Sequence, residues 1–260
     1  MYVEVCGERI AYDEAGSGEA ILFLHSLGAS KAIWREQLQQ CAKRFRCIAC
    51  DAPGHGESSH RRQIDAASIV ACHVGLLDAL DVERVHVVGV SMGGCWAMEL
   101  WRRAPERVLS LVLCDTFASM ADPQTPIRAR EQALMSTDMA TFGREYAAVV
   151  FKGSPTAAAR HMLERAVAQC DKDAYLQTAR ACYRSNTEDV LATIAVPTLV
   201  VTGKLDDRVA PANSEYLAAR IPGASLAAIP GAGHLPQLDN PAAFDAALEA
   251  FVGAASRSTG

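Results

Sequence analysis

VHVVGVSMGGCWAMEL, residues 85–100, interrupts an apolar run with a serine set among glycines and then resumes at helical spacing. Residues 85–90 are rich in valine and read as a buried strand, whereas Cys95, Met98, Glu99 and Arg102 recur as on one side of a helix. Ser91 is the centre of Gly89-Val90-Ser91-Met92-Gly93, the G-x-S-x-G spacing of a nucleophile elbow. A strand that turns straight into a helix leaves its turn residue at a strained backbone angle with little room around it, and the two flanking glycines supply that room. A phosphate-cradling loop is the competing reading. It lacks the Lys-Ser/Thr of a P-loop and the complete G-x-G-x-x-G.

The rest of the chain suits an enzyme of ordinary composition. Its 260 residues, half of them hydrophobic and 21% charged, allow one large α/β domain with a substantial core, or two small ones. A net charge of −5 lacks the clustered basic footprint of nucleic-acid binding. No apolar stretch has the length of a membrane span, and the first residues lack the pattern of a signal peptide. The expectation is therefore a cytoplasmic protein with nine free thiols, no nucleic-acid partner and no membrane partner. Cys47 and Cys50 form an isolated C-x-x-C within an apparent strand, where residues three apart face opposite ways, so they are read as packing rather than ligands.

Working outward from the elbow, short apolar strands alternate with helices. Strands are expected at 2–5, 9–14, 20–24, 46–49, 85–90 and 109–114, with helices at 31–43, 64–80 and 92–104. The alternation stops at about residue 121, with no convincing strand to 190, and returns from 196, with strands at 197–202 and 226–229, helices at 212–220 and 241–252, and a frayed tail at 253–260. Such a pattern implies an α/β fold with a mostly parallel eight-stranded sheet covered on both faces. Residues 1–120 and 191–260 read as the core, and 121–190, rich in helix formers, as an inserted helical lid.

A serine hydroxyl needs a base, and the base needs a group to fix its tautomer. Of the seven histidines, His234 is the candidate base, because Gly231-Ala232-Gly233-His234 follows the last strand and reaches the edge from which Ser91 projects. Asp206, three residues past the glycine that closes the strand at 197–202, is the candidate acid; Asp207 and Asp115 are the alternatives. The backbone N–H groups of Met92, at a helix start, and of Leu27, in the loop after the third strand, are the candidate oxyanion donors.

With these residues in place the chain resembles an α/β-hydrolase-fold serine hydrolase over nearly its whole length. The resemblance is carried by Leu22-Phe23-Leu24-His25-Ser26-Leu27-Gly28, by Asp51-Ala52-Pro53-Gly54-His55-Gly56-Glu57-Ser58, by the elbow, and by the chain order Ser, Asp, His. Asp51 and His55 belong, on this resemblance, to a structural turn. Ser26 stands where the family usually has glycine. That departure, with Trp34, Gln37 and Leu38 downstream and Ala195-Val196-Pro197-Thr198-Leu199 beyond the lid, is similar to the 3-oxoadipate enol-lactonase branch. The resemblance implies hydrolysis of a small-molecule ester or lactone by water through an acyl-enzyme, with no cofactor and no metal. Carbon–carbon bond hydrolysis and perhydrolysis use nearly the same constellation, and a ligand receptor on the same fold is the reading from another class. Ser26, Trp34, Met120, Met135, Phe142 and Tyr146 are the substrate-pocket candidates, joined by Met139, Phe151 and Tyr175; Arg128, Arg144 and Arg184 are the candidates for meeting a substrate carboxylate. No pattern in the chain bears on oligomeric state.

Overall fold

The computed structural model describes residues 1–60 and 63–259. Eight strands run β1 (Tyr2–Val5), β2 (Glu8–Ala15), β3 (Ala20–Leu24), β4 (Arg46–Cys50), β5 (Val85–Val90), β6 (Val108–Cys114), β7 (Thr198–Gly203) and β8 (Ser225–Ile229). They form one sheet in the order β1-β2-β4-β3-β5-β6-β7-β8. β1 and β2 are antiparallel to each other, β2 is antiparallel to β4, and every other pair is parallel. All of β5 and β6 is buried, as their mostly apolar runs require of central strands covered on both faces, and the two polar side chains, His86 and Ser110, pair with each other at 2.7 Å.

The helices are α1 (Arg35–Cys41), α2 (Ala66–Ala79), α3 (Met92–Arg103), α4 (Gln124–Ser136), α5 (Met139–Val150), α6 (Ala157–Gln169), α7 (Lys172–Tyr183), α8 (Pro211–Arg220), α9 (Pro236–Asp239) and α10 (Pro241–Thr259). The sheet divides the core in two. One layer packs Ile69 and Leu76 of α2, Trp96 of α3 and Leu217 of α8 against the sheet. The other packs Trp34, Leu38 of α1, and Phe244 and Leu248 of α10. Cys47 belongs to the second layer and Cys50 to the first, as residues three apart on a strand must. Helices α4 to α7 occupy the stretch between β6 and β7, which contains no strand.

Two boundaries depart from the sequence reading. The helix expected over 31–43 begins as a 3-10 turn (Lys31–Trp34) before α1, and the backbone N–H of Lys31, which has no acceptor within the turn, donates to Asp51 Oδ1 at 2.6 Å. The tail expected to fray from 253 is instead helical through Thr259. Val252 and Ala255 are buried, so the last turns of α10 are held by packing, while Gly260 lies outside the described residues.

Candidate active site

The turn from β5 into α3 places Ser91 at φ 55° and ψ −117°, a region that costs a non-glycine residue energy and is kept only where the surroundings enforce it. The enforcement is visible in the glycines. A Cβ on Gly89 would stand 2.2 Å from the carbonyl oxygen of Gly93, and one on Gly93 would stand 2.2 Å from that of Leu24. The Ser91 N–H donates to the carbonyl of Cys114 at 2.8 Å, which ties the elbow to the end of β6.

His234 comes from the loop after β8 and meets Ser91 across the sheet's edge, with Nε2 2.9 Å from Ser91 Oγ. Its Nδ1 lies 2.8 Å from Asp206 Oδ2. A carboxylate only accepts, so Nδ1 carries the proton and Nε2 is left to accept from the serine. Asp206 is fixed in turn: its Oδ1 accepts the backbone N–H groups of Arg208 at 2.8 Å and Val209 at 3.2 Å. The two loops are sewn together by Leu205 N–H to Ala232 O at 2.8 Å, and Gly203 allows the approach, since a Cβ there would lie 2.0 Å from the carbonyl oxygen of Gly233. Asp239, which no sequence signal singled out, is buried and accepts the N–H of Gly233 at 2.7 Å and of Lys152 at 3.1 Å. It thus anchors the histidine loop to the end of α5. The alternative acids are engaged elsewhere: Asp207 pairs with Lys152 at 2.7 Å, and Asp115 accepts from Thr202 and Gly203.

Ser91 and His234 open onto a cavity of about 460 Å³. Leu27, Phe117, Met120, Tyr146, Tyr175, Tyr183, Arg130, Lys152 and Arg208 are among the residues that line it. A mixed wall, in which apolar side chains and tyrosines stand beside Arg130, Lys152 and Arg208 next to a serine–imidazole pair, suits a small organic substrate with polar groups of its own.

A sequence model of the alpha/beta hydrolase family matches residues 21–247. The chain belongs to this family. Among its relatives is 3-oxoadipate enol-lactonase 2 of Acinetobacter baylyi, 27% identical, the match covering 90% of this chain and 88% of that protein. The pimeloyl-[acyl-carrier protein] methyl ester esterase of Neisseria meningitidis is 29% identical, over 89% of this chain and 92% of the other. The crystal structure of the enol-lactonase from Burkholderia xenovorans superposes with a TM-score of 0.89 at 25% identity, covering 97% of this chain and all of that one.

In this alpha/beta hydrolase the pocket candidates divide. Met120 and Tyr146 line the cavity, as does Tyr175. Phe142 lines a smaller neighbouring hollow and meets Tyr175 edge-on, with centroids 5.5 Å apart. Ser26 is wholly buried and does not line the cavity. Trp34 sits in the core between Phe23 at 5.3 Å and Phe244 at 6.1 Å, away from the cavity. Met135 is 86% exposed, on the outer side of α4. Arg128, Arg144 and Arg184 are exposed and do not line the cavity; the arginines that do are Arg130 and Arg208, which the sequence reading missed. Arg130 donates to the Tyr175 hydroxyl at 3.3 Å and lies over the Tyr183 ring at 4.7 Å, and Arg208 lies over the Tyr146 ring at 5.0 Å.

Beneath the loop that carries Leu27 lies a buried histidine cluster. His25 Nε2 accepts the Ala52 N–H at 2.9 Å, so Nδ1 holds the proton and donates it to the Ser26 carbonyl at 2.8 Å. His55 stacks obliquely on it at 5.2 Å, and His73 packs close by. Burial lowers all three, His25 to about 4 and His55 and His73 to about 3. The unfolded chain, with histidines near 6.5, binds more protons than the folded one below that pH. The stability these groups contribute is therefore complete above pH 6.5 and is lost as pH falls toward 3, at a limiting slope of about 4 kcal/mol per pH unit for three histidines. Urea midpoints measured from pH 7 to pH 4.5 are expected to fall steeply; a flat series would mean that the cluster takes up protons without unfolding.

Proposed function

We propose that this alpha/beta hydrolase is a serine hydrolase that cleaves a small ester or lactone bearing a carboxylate. The observation that carries the reading is the unbroken chain from Ser91 Oγ through His234 to Asp206, at 2.9 and 2.8 Å, opening on a cavity of about 460 Å³. Ser91 Oγ attacks the substrate carbonyl while His234 Nε2 takes its proton, and Asp206 stabilises the imidazolium. The backbone N–H groups of Leu27 and Met92 hold the oxyanion, the latter aided by the start of α3. His234 then protonates the leaving alkoxide, and in the second half it deprotonates the water that releases the acid. Residues 121–190 serve as the lid over a core of 1–120 and 191–260, and the reaction is expected to run in the cytoplasm.

The carboxylate enters from charge. Arg130 and Arg208 both face the cavity, and their contacts are with tyrosines and backbone; among the described residues neither has an ion-pair partner. Arginines lining a confined site without a counter-ion suit an anionic ligand. The named activity of the enol-lactonase relatives points the same way.

Two p-nitrophenyl esters of equal chain length, one ending in methyl and one in carboxylate, test this together with a fluorophosphonate probe. The probe is expected to label Ser91 stoichiometrically, and kcat/KM is expected to favour the carboxylate ester. Arg130→Gln should lower kcat/KM for that ester alone, by roughly 10- to 100-fold, as befits the loss of one charged hydrogen bond. Equal rates for the two esters would dismiss the anionic substrate, and ligand binding without labelling or turnover would favour a receptor.

A further inference from the structure

Residues 114–116, where β6 ends, hold the nucleophile from both sides of its backbone. The Cys114 carbonyl accepts the Ser91 N–H at 2.8 Å. Two residues on, past the left-handed turn at Asp115 (φ 41°), the Thr116 hydroxyl donates to the Ser91 carbonyl at 2.7 Å. Thr116 is completely buried, and Gly94 makes room for it: a Cβ on Gly94 would stand 2.6 Å from Thr116 Cβ and 2.7 Å from its Oγ1. The elbow spacing asks for Gly93 alone, so the second glycine has this separate steric cause. A hydroxyl carries one proton. The Ser91 carbonyl can only accept, whereas the Cys95 thiol, 3.5 Å from Thr116 Oγ1, has the Phe117 carbonyl at 3.6 Å as an acceptor of its own, so the Thr116 proton goes to Ser91.

The Ser91 carbonyl is one end of a peptide whose other end is the Met92 N–H. In a trans peptide the two point opposite ways, so whatever fixes the oxygen aims the hydrogen. The same oxygen receives the Gly94 N–H at 2.9 Å and the Cys95 N–H at 3.3 Å. Both of those donors belong to α3 and turn with it. Thr116 comes from the sheet, and its bond ties the peptide to the end of β6 at a residue whose ψ of −117° is not one that a serine holds by itself. Among the described residues the Met92 N–H has no protein acceptor, as befits the first turn of a helix. The other donor peptide is held in a like manner, with the Ser26 carbonyl accepting from His25 Nδ1 at 2.8 Å and from the Ala29 N–H at 3.0 Å.

We propose that Thr116 is a positioning residue for the oxyanion hole, whose hydroxyl, bonded to the Ser91 carbonyl, holds the Ser91–Met92 peptide with its N–H turned toward the developing oxyanion. The proposal rests on the catalytic reading of Ser91 and on Met92 as a donor. Thr116 does not line the cavity, and its proton stays in place throughout the cycle. A donor on the carbonyl also polarises the peptide and strengthens the N–H at its far end, an effect of the same sign.

Thr116→Ser keeps the hydroxyl and Thr116→Ala removes it, so the two variants differ in that group alone. On the ester that the wild type turns over fastest, Thr116→Ala is expected to lose about tenfold in kcat with KM within about twofold, less than the roughly 10²- to 10³-fold cost of losing a whole oxyanion donor. Thr116→Ser should stay within about threefold of wild type, and the pH profile of both should match it, since His234 is untouched. A trifluoromethyl ketone, which Ser91 converts to a tetrahedral adduct with a real oxyanion, gives a reading that a merely loosened fold would not. Its Ki is expected to rise about tenfold in Thr116→Ala, in step with the fall in kcat/KM, while the Ki of the alcohol product, which has no carbonyl oxygen, stays within about twofold. Three results overturn the proposal: Thr116→Ala within about threefold of wild type, Thr116→Ser losing as much as Thr116→Ala, or a fall in kcat without the matching rise in the ketone's Ki. If Thr116→Ala does not fold, Thr116→Val, which keeps the volume beside Gly94 and carries no donor, takes its place with the same expectations. A wild type that neither turns over esters nor takes the fluorophosphonate label would strike the catalytic reading itself, and the proposal with it.

Discussion

Ser91→Ala is expected to lower kcat on an activated ester by roughly 10⁶-fold, the scale seen when a hydrolytic triad loses its nucleophile. Labelling by fluorophosphonate should vanish with it. The effect is large because the residues act as a unit: without Oγ, His234 has no proton to accept and Asp206 no imidazolium to stabilise. Stability should barely change, within about 0.5 kcal/mol, as for an exchange that breaks no packing contact. Serine and alanine share a Cβ, so the strain at φ 55° is common to both, and among the described residues the hydroxyl's hydrogen-bond partner is His234 Nε2 at 2.9 Å. Rates for wild type and variant, beside their urea midpoints, check both halves. A variant that folds and keeps most of its turnover would put the nucleophile elsewhere.

Much of the fold could be read from the chain because its central strands obey a simple rule. A parallel strand covered on both faces must be apolar or have its polar groups partnered, and β5 and β6 are apolar but for His86 and Ser110, which hydrogen-bond each other. The elbow was legible for a steric reason: Gly89 and Gly93 stand where any Cβ would strike backbone. His234 and Asp206 were placed by the edge of the sheet at which loops after parallel strands gather. The cavity was far less legible. Arg130 and Met135 both lie on α4, yet the first lines the cavity and the second is 86% exposed. Which side of that helix faces inward is set by its packing against α7, a tertiary contact that periodicity alone does not contain. Trp34 shows the same limit from the other direction, since its place between Phe23 and Phe244 depends on α10, more than 200 residues away along the chain. The tail was misread because Gly253 and the small residues after it have the composition of a fraying end. What keeps them helical is burial of Val252 and Ala255, again non-local.

Asp206→Asn should lower kcat by about 10⁴-fold while leaving KM and the overall fold close to wild type. An asparagine fills the same volume, and its side-chain oxygen can still accept the N–H groups of Arg208 and Val209 that now reach Asp206 Oδ1 at 2.8 and 3.2 Å. Its NH2 group then stands where Oδ2 was, 2.8 Å from His234 Nδ1. A donor facing Nδ1 forces that nitrogen to accept, which moves the ring proton to Nε2 and points a hydrogen at Ser91 Oγ. The imidazole is then the wrong tautomer to take the serine proton, and no carboxylate charge remains to stabilise the imidazolium. Raising the pH should recover part of the lost rate as hydroxide substitutes for the missing base, so the pH–rate curve of Asp206→Asn is expected to climb where the wild type is level. Steady-state kinetics from pH 6 to 10 would show it. A loss of less than about tenfold, with a wild-type pH profile, would mean that Asp206 does not set the tautomer, and the neighbouring Asp115 carboxyl would then be the group to examine in that role.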